Sequence, residues 1–405
     1  MVATHRLPAR RALAVALAAL VVVPLTAGCG AKPAVGANAN GGTASSGTAT
    51  PMSQVRITSN VRPGARNVEV SRLVRLDTAQ GTLRTVKVRT LNGQDVAGAM
   101  NTQRTSWLAK GRLEPGTKYV LRAVAADSTG IAKDYAVQFS TQTLSLNQQT
   151  FPSVLPLNGQ TVGVGMPIMI HFDVPVKNQK LFEKHMHVST SSGQKGSFNW
   201  LDSQNVHFRP KSYWKPGSKV QVNIDVNSLS AGNGVYGQKS RKISFDVGRS
   251  MISRVDMNTH QLKAFRDGKL IRTIPITTGM PGFTTRSGTK VIIEKSRRQN
   301  MNSETIGLDP HGPNGYNLKG VEFAMRLTFS GEFLHAAPWS VGSQGRANVS
   351  HGCTGMSTAN ASWLYANSMV GDPVEYTGSA KYMTLTNGYG DWNASWATWT
   401  AGSAL

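Results

Sequence analysis

The chain has 405 residues, 40% of them hydrophobic and 16% charged, with 41 glycines. That is a globular composition with loops and room for two to four domains, not a disordered tail. The formal charge of +23 at pH 7 favours an anionic environment: nucleic acid, anionic lipid or an acidic wall polymer.

Residues 1–29 choose among these. Arg6, Arg10 and Arg11 give a positive start, Leu13 to Leu25 an apolar run, and LTAGC a small-residue end at Cys29. This predicts a secretory signal peptide, too short to span a membrane as a helix. A cysteine directly after the small residues resembles a bacterial lipobox, so Cys29 is expected to carry lipid after cleavage. Export argues against nucleic acid as partner. It predicts a protein anchored by lipid to the cell membrane, facing the wall. Residues 30–52 are Gly, Ala, Ser, Thr and Asn with almost no large apolar side chain, and read as a flexible tether.

An internal repeat follows. LEPGTKYVLRAVA (Leu113 to Ala125) matches WKPGSKVQVNIDV (Trp214 to Val226) at an offset of 101 residues. Each copy sets Pro-Gly in a turn before a strand with period-2 alternation. Short strands broken by Gly, Asn and Pro predict two immunoglobulin-like β-sandwiches, over residues 53–145 and 146–248. From Met251 the strands lengthen. The stretch 249–378 reads as a β-rich domain with a loop-rich segment at 296–320, a candidate lid. A short helix capped by Ser357 follows, with Trp363 and Leu364 inward. Residues 379–405 carry three closely spaced tryptophans and are expected to pack on that last domain. The fold class is therefore mainly β.

Only two cysteines occur. If Cys29 is acylated, Cys353 has no disulfide partner, and an exported free thiol invites a reactive role. Cys353 sits in SHGC, two residues after His351, but an extended backbone holds i and i+2 near 7 Å apart. His335, at the end of an apolar strand in FSGEFLHAAPWS, can meet the sulfur from another strand and is the preferred base. Such a pair is expected to depress the thiol pKa. Gly352 allows a tight turn, so bare N–H groups near Cys353 could face an oxyanion. His335, His351 and Cys353 are also the best zinc set the chain offers; neither metal nor cofactor is expected.

His335, fourteen residues, then Ser350-His351-Gly352-Cys353 resembles the signature of the YkuD-type L,D-transpeptidases. MNSETIGL, NGYNLKG, FSGEFLHAAPWSVGSQG, GDPVEY and GDWNASW are similar to actinobacterial (mycobacterial-like) members, which also carry a membrane-held N-terminus and two immunoglobulin-like domains. The likeness runs over about residues 53–405. It implies a YkuD-type catalytic domain that cross-links peptidoglycan. Cys353 would attack a donor tetrapeptide stem, release D-Ala, and pass the acyl group to an acceptor stem as a 3→3 cross-link. His335 would be the base and His351 would tune it. The amides of His351, Gly352 and Cys353 would form the oxyanion hole. Tyr316, Met301, Ser330, Gly331, Trp339, Ser350 and Gly355 would serve substrate binding. Carbapenems are expected as acylating inhibitors.

The chain departs from the family pattern at Ala336, often Ser, at Gly355, usually Asn or Arg, and at Ile306, where an aromatic is common. With Gly355 the chain would lack a side chain that touches the substrate in relatives. A papain-like peptidase would place its Cys before its His, and a sortase needs an Arg shortly after the thiol, which is absent here. The alternative of another class is a wall-binding lipoprotein with a weak or inactive site.

Overall fold

The computed structural model describes residues 52–405. The expected signal peptide, Cys29 and nearly all of the tether lie outside the described residues.

Two pairs of four-stranded sheets come first. In the first pair, Arg56–Ser59, Arg75–Ala79, Ser106–Ala109 and Gly98–Met100 face Asp95–Val96, Thr82–Thr90, Lys118–Ala126 and Ala132–Ser140. Val74, Leu76, Leu83, Trp107 and Leu121 fill the space between. The second pair spans Pro152 to Val247, around Phe172, Trp214, Val222 and Phe245. The repeat lands at equivalent places. Gly116 and Gly217 take positive φ, +60° and +75°, in the Pro-Gly turns. The alternating residues Tyr119, Leu121 and Ala123, and Val220, Val222 and Ile224, are all buried. Period-2 alternation puts one side of each strand into a core and leaves the other wet.

The last domain has two sheets. We number its strands β1 (Met251–Asp256), β2 (Gln261–Arg266), β3 (Lys269–Pro275), β4 (Gly288–Val291), β5 (Glu294–Asn302), β6 (Asn317–Arg326), β7 (Phe333–Ala336), β8 (Thr354–Met356) and β9 (Pro373–Thr377). One sheet runs β3-β2-β1-β9-β4 and the other β5-β6-β7-β8. Leu262, Ile274, Met325, Leu334 and Met356 pack between them, together with Leu364 from the helix Thr358–Asn367. Ser357 caps that helix by accepting the Asn360 N–H at 3.3 Å.

Two expectations are corrected. Much of 296–320 is strand: β5 and β6 pair antiparallel from Glu294–Arg326 to Asn302–Asn317. Only the tip, 303–316, lies outside the strands, and it opens with one helical turn, Ser303–Ile306. The β5 sequence EKSRRQNMN is nearly all polar, so it carries no alternation to betray a strand. The C-terminal extension does not pack on the last domain alone. Asn393 pairs with the backbone of Thr289 in β4, but beyond it the chain crosses to the second sandwich. There Trp399 Nε1 donates to Ser197 O at 3.0 Å. Arg209, almost fully buried, lies 4.9, 5.5 and 4.5 Å from the ring centres of Trp392, Trp396 and Trp399. A buried guanidinium needs carbonyl and aromatic partners, and the extension supplies both: Arg209 donates to Asp391 O and Ala394 O. The tryptophans thus strap the second sandwich to the last domain.

Candidate active site

β7 brings the imidazole. Its sequence FLHA is buried throughout, because β6 pairs with it on one edge and β8 on the other. The β7–β8 pairing is parallel and sets His335 opposite Gly355. Side chains alternate along a strand, so Cys353, two residues before Gly355, projects to the same face as His335, one diagonal step away. The two residues that sequence reasoning paired therefore share one face of one sheet.

The turn carrying the thiol is pinned by its own side chains. Ser350 Oγ donates to Cys353 O at 2.6 Å and accepts the Gly352 N–H at 3.1 Å. Thr285 Oγ1 donates to Gly352 O at 2.8 Å. Gly352 holds φ at +116°, in a region side chains avoid. The Gly352 N–H is committed to Ser350. The expected three-amide oxyanion hole is therefore reduced to His351 and Cys353, whose N–H groups have no partner among the described residues. Ser350 acts behind the turn, not on a substrate surface.

The sulfur rests as a thiol. Sγ donates to Gly331 O at 3.5 Å and makes no hydrogen bond to His335. Burial pushes its pKa up to about 12, against the pull of the Phe333 backbone N–H. This direction is opposite to the depressed thiol expected from sequence: removing the group from water outweighs the charges around it. His335 is buried, and its Nδ1 lies 2.8 Å from Ala336 O. A carbonyl only accepts, so Nδ1 carries the hydrogen and Nε2 keeps a lone pair. Burial lowers the His335 pKa, which favours the neutral, basic ring. The Ala336 departure leaves this contact intact, because the backbone makes it. Trp339 covers the imidazole at 5.9 Å between ring centres while remaining 59% exposed itself.

Two cavities flank the turn. The smaller, about 80 Å³, is lined by Cys353, Met301, Tyr316, Gly331 and Phe333. The larger, about 400 Å³, is lined by Ser330, Glu332, His351, Gly352, Arg286 and Lys381 among others. Thr305 and Gly331 border both. His351 stands between them, its ring 4.5 Å from that of Phe283 and 5.2 Å from that of Tyr316. Its Nε2 is buried with no partner among the described residues. Gly355 borders neither cavity. A Cβ there would come within 2.9 Å of Ala337 Cβ and 3.1 Å of Thr277 Cγ2. The expectation that Gly355 stands where a side chain would touch substrate is therefore corrected: this position faces the protein.

Other residues escaped sequence reading. Glu332 is buried one residue past Gly331 and pairs with Lys290 and with Arg286 Nη1 at 2.8 Å. Lys290, fully buried, lies 3.7 Å from the Tyr376 ring centre, and Tyr376 OH meets Thr354 Oγ1 at 2.7 Å. This network joins the two backbone segments that hold the sulfur. A carboxylate inside the apolar run FSGEFLHA was its sequence signal. Asn387, from the C-terminal extension, fixes Ser330 through its backbone N–H and its hydroxyl; nothing in the sequence marked it. Among the described residues no group of three His, Cys, Asp or Glu side chains converges to hold a metal ion.

Comparison with known proteins gives the family. Residues 250–375 match the family model of the L,D-transpeptidase catalytic domain, and residues 65–230 that of a bacterial Ig domain. Over 350 residues the chain is 34% identical to L,D-transpeptidase 2 of Mycobacterium tuberculosis, covering 86% of this chain and 85% of that one. The chain belongs to the L,D-transpeptidase family. It is also 30% identical to L,D-transpeptidase 5 of the same species, across 86% of this chain and 77% of the relative. Among solved structures, an LD transpeptidase in complex with imipenem aligns with a TM-score of 0.50 at 36% identity, covering 56% of this chain and 97% of its own.

Proposed function

We propose that this L,D-transpeptidase joins peptidoglycan stem peptides through a thioester on Cys353. The observation that carries the reading is the shared face of His335 and Cys353, with the Nε2 lone pair of His335 left free by the Ala336 carbonyl. Substrate closes the gap between ring and thiol. His335 takes the thiol proton as sulfur attacks the carbonyl carbon of the third residue of a donor tetrapeptide. Charge developing on the carbonyl oxygen meets the free amides of His351 and Cys353. The C–N bond to D-Ala breaks, and the proton held by His335 passes to the departing amine. The side-chain amine of an acceptor stem then attacks the thioester from the same side. A new C–N bond forms, the C–S bond breaks, and the thiol is restored with a 3→3 cross-link made. Met301, Tyr316 and Gly331 wall the sulfur on the lid side. Carbapenems acylate the same thiol, a reading supported by the imipenem complex of a relative.

Residues 1–29 direct export, Cys29 takes lipid, and residues 30–52 tether the body to the outer face of the cell membrane. The net charge of +23 holds the protein against anionic wall polymers or lipid headgroups. The rival reading, a wall-binding protein with a silent site, has one observation in its favour: Cys353 Sγ donates to Gly331 O and makes no hydrogen bond to His335. Incubation with isolated sacculi, followed by digestion and separation of the muropeptides, tests both. New 3→3 dimers that require Cys353 support the enzyme; binding without new dimers supports the rival.

A further inference from the structure

Lys381 is the only basic residue after Cys353, and the fold places it in the larger cavity beside the catalytic turn. It arrives there because Ser287 N–H donates to Lys381 O at 2.7 Å, which sets Lys381 next to Arg286. Ser379 Oγ bonds only the Lys381 backbone, and the Lys381 ammonium has no ion pair or hydrogen bond among the described residues. Arg286 offers Nη1 to Glu332 at 2.8 Å, and its Nε and Nη2 make no hydrogen bond there. Glu332 is already met from behind by Lys290. The wall therefore carries more positive charge than its one carboxylate balances. The uncommitted donors belong to Arg286 and Lys381, on the same cavity as His351 and Gly352.

The chemistry of the cavity identifies what those donors meet. Leaving and attacking amines must use the same side of a thioester. On the transpeptidase reading, the leaving amine is that of D-Ala, whose carboxylate sits on the carbon bearing the nitrogen. We propose that Arg286 and Lys381 form a binding site for a carboxylate adjacent to the reacting amine. In the donor this is the terminal carboxylate of the tetrapeptide; an acceptor with a carboxylate beside its side-chain amine uses the same site. Arg supplies planar paired donors, and Lys a mobile point charge. The site makes the chain select donors that end one residue past the scissile carbonyl.

The test is equilibrium binding to the full chain carrying Cys353→Ala, measured by titration calorimetry with two tetrapeptides. One ends in D-Ala carboxylate, the other in its carboxamide. The carboxylate form should bind about tenfold tighter, the scale of one charge-assisted hydrogen bond. Adding Lys381→Gln, at an exposed position, should cut that preference at least several-fold, and adding Arg286→Gln should abolish it. Arg286→Lys, which keeps the charge and loses the fork, should retain part of it. Equal affinity for the two peptides, no binding of either, or a preference that survives both Gln substitutions overturns the proposal. A parallel series with acceptor stems bearing carboxylate or carboxamide beside the amine separates the two sources. Failure of the transpeptidase reading shows elsewhere: carboxylate preference intact, but no D-Ala released by the parent protein.

Discussion

His335 Nδ1 lies 2.8 Å from the carbonyl oxygen of its neighbour Ala336, so the backbone, not a side chain, fixes the tautomer of the proposed base. Ala336→Ser should therefore leave kcat/KM within about a factor of three of the parent, a difference under 1 kcal/mol. Steady-state cross-linking of a tetrapeptide checks this. A large gain would show that a hydroxyl at this position contributes.

Removal of the ring is another matter. His335→Gln should lower the acylation rate by about 10²–10⁴-fold, the usual contribution of a positioned acid–base group. Single-turnover mass spectrometry reads that step directly. Because His335 is buried under Trp339, circular dichroism must show the variant folded.

The thiol should titrate high in the free protein. Burial favours the neutral form and pushes Cys353 up to about 12, so little thiolate exists at pH 8. Iodoacetamide should label Cys353 more slowly than it labels free cysteine at that pH, with a rate still rising beyond pH 9. A plateau near neutral pH would mean that the imidazole ionises the sulfur before substrate arrives.

Two glycines should separate conformation from space. Gly352 at φ +116° has no atom closer than 3.6 Å to an added Cβ, so Gly352→Ala costs about 1–2 kcal/mol through backbone strain and also disturbs the Ser350 and Thr285 contacts. Gly355→Asn meets Ala337 at 2.9 Å and should destabilise by about 1–3 kcal/mol through overpacking. Denaturant unfolding measures both. A Gly355→Asn variant that is stable and more active would restore the substrate-contact reading.

Lys290 gives a pH signature. Burial, only partly offset by Glu332, lowers its pKa to about 8 from 10.5. Between those values the unfolded chain binds more protons than the folded one, so this group makes stability rise with pH through that window. Lys290→Met should remove the rise. Unfolding free energies at pH 7.5 and pH 10, for parent and variant, give the comparison.

The sandwiches were legible because alternation and Pro-Gly turns are local signals. Gly116 and Gly217 announced themselves by offset alone. His335 and Cys353 were legible as a pair because a thiol expected to lack a disulfide partner points to an imidazole from another strand. What stayed hidden is long-range or polar. Strand β5 carries Arg, Gln and Asn where alternation would be sought. Asn387 and Ser330 meet across 57 residues. The state of the thiol depends on burial, which is set by the sheet and not by the SHGC sequence. The tryptophans read as a strap, yet their target, Arg209, lies in a different domain.

The central claim is that Cys353 carries the acyl group. Intact-mass analysis of the protein quenched during turnover of a tetrapeptide donor measures it most directly. The account predicts one added tripeptide acyl mass, mapped to Cys353, labile to hydroxylamine, and missing in Cys353→Ala. A donor consumed without any adduct on Cys353, or an adduct mapped to another residue, contradicts it.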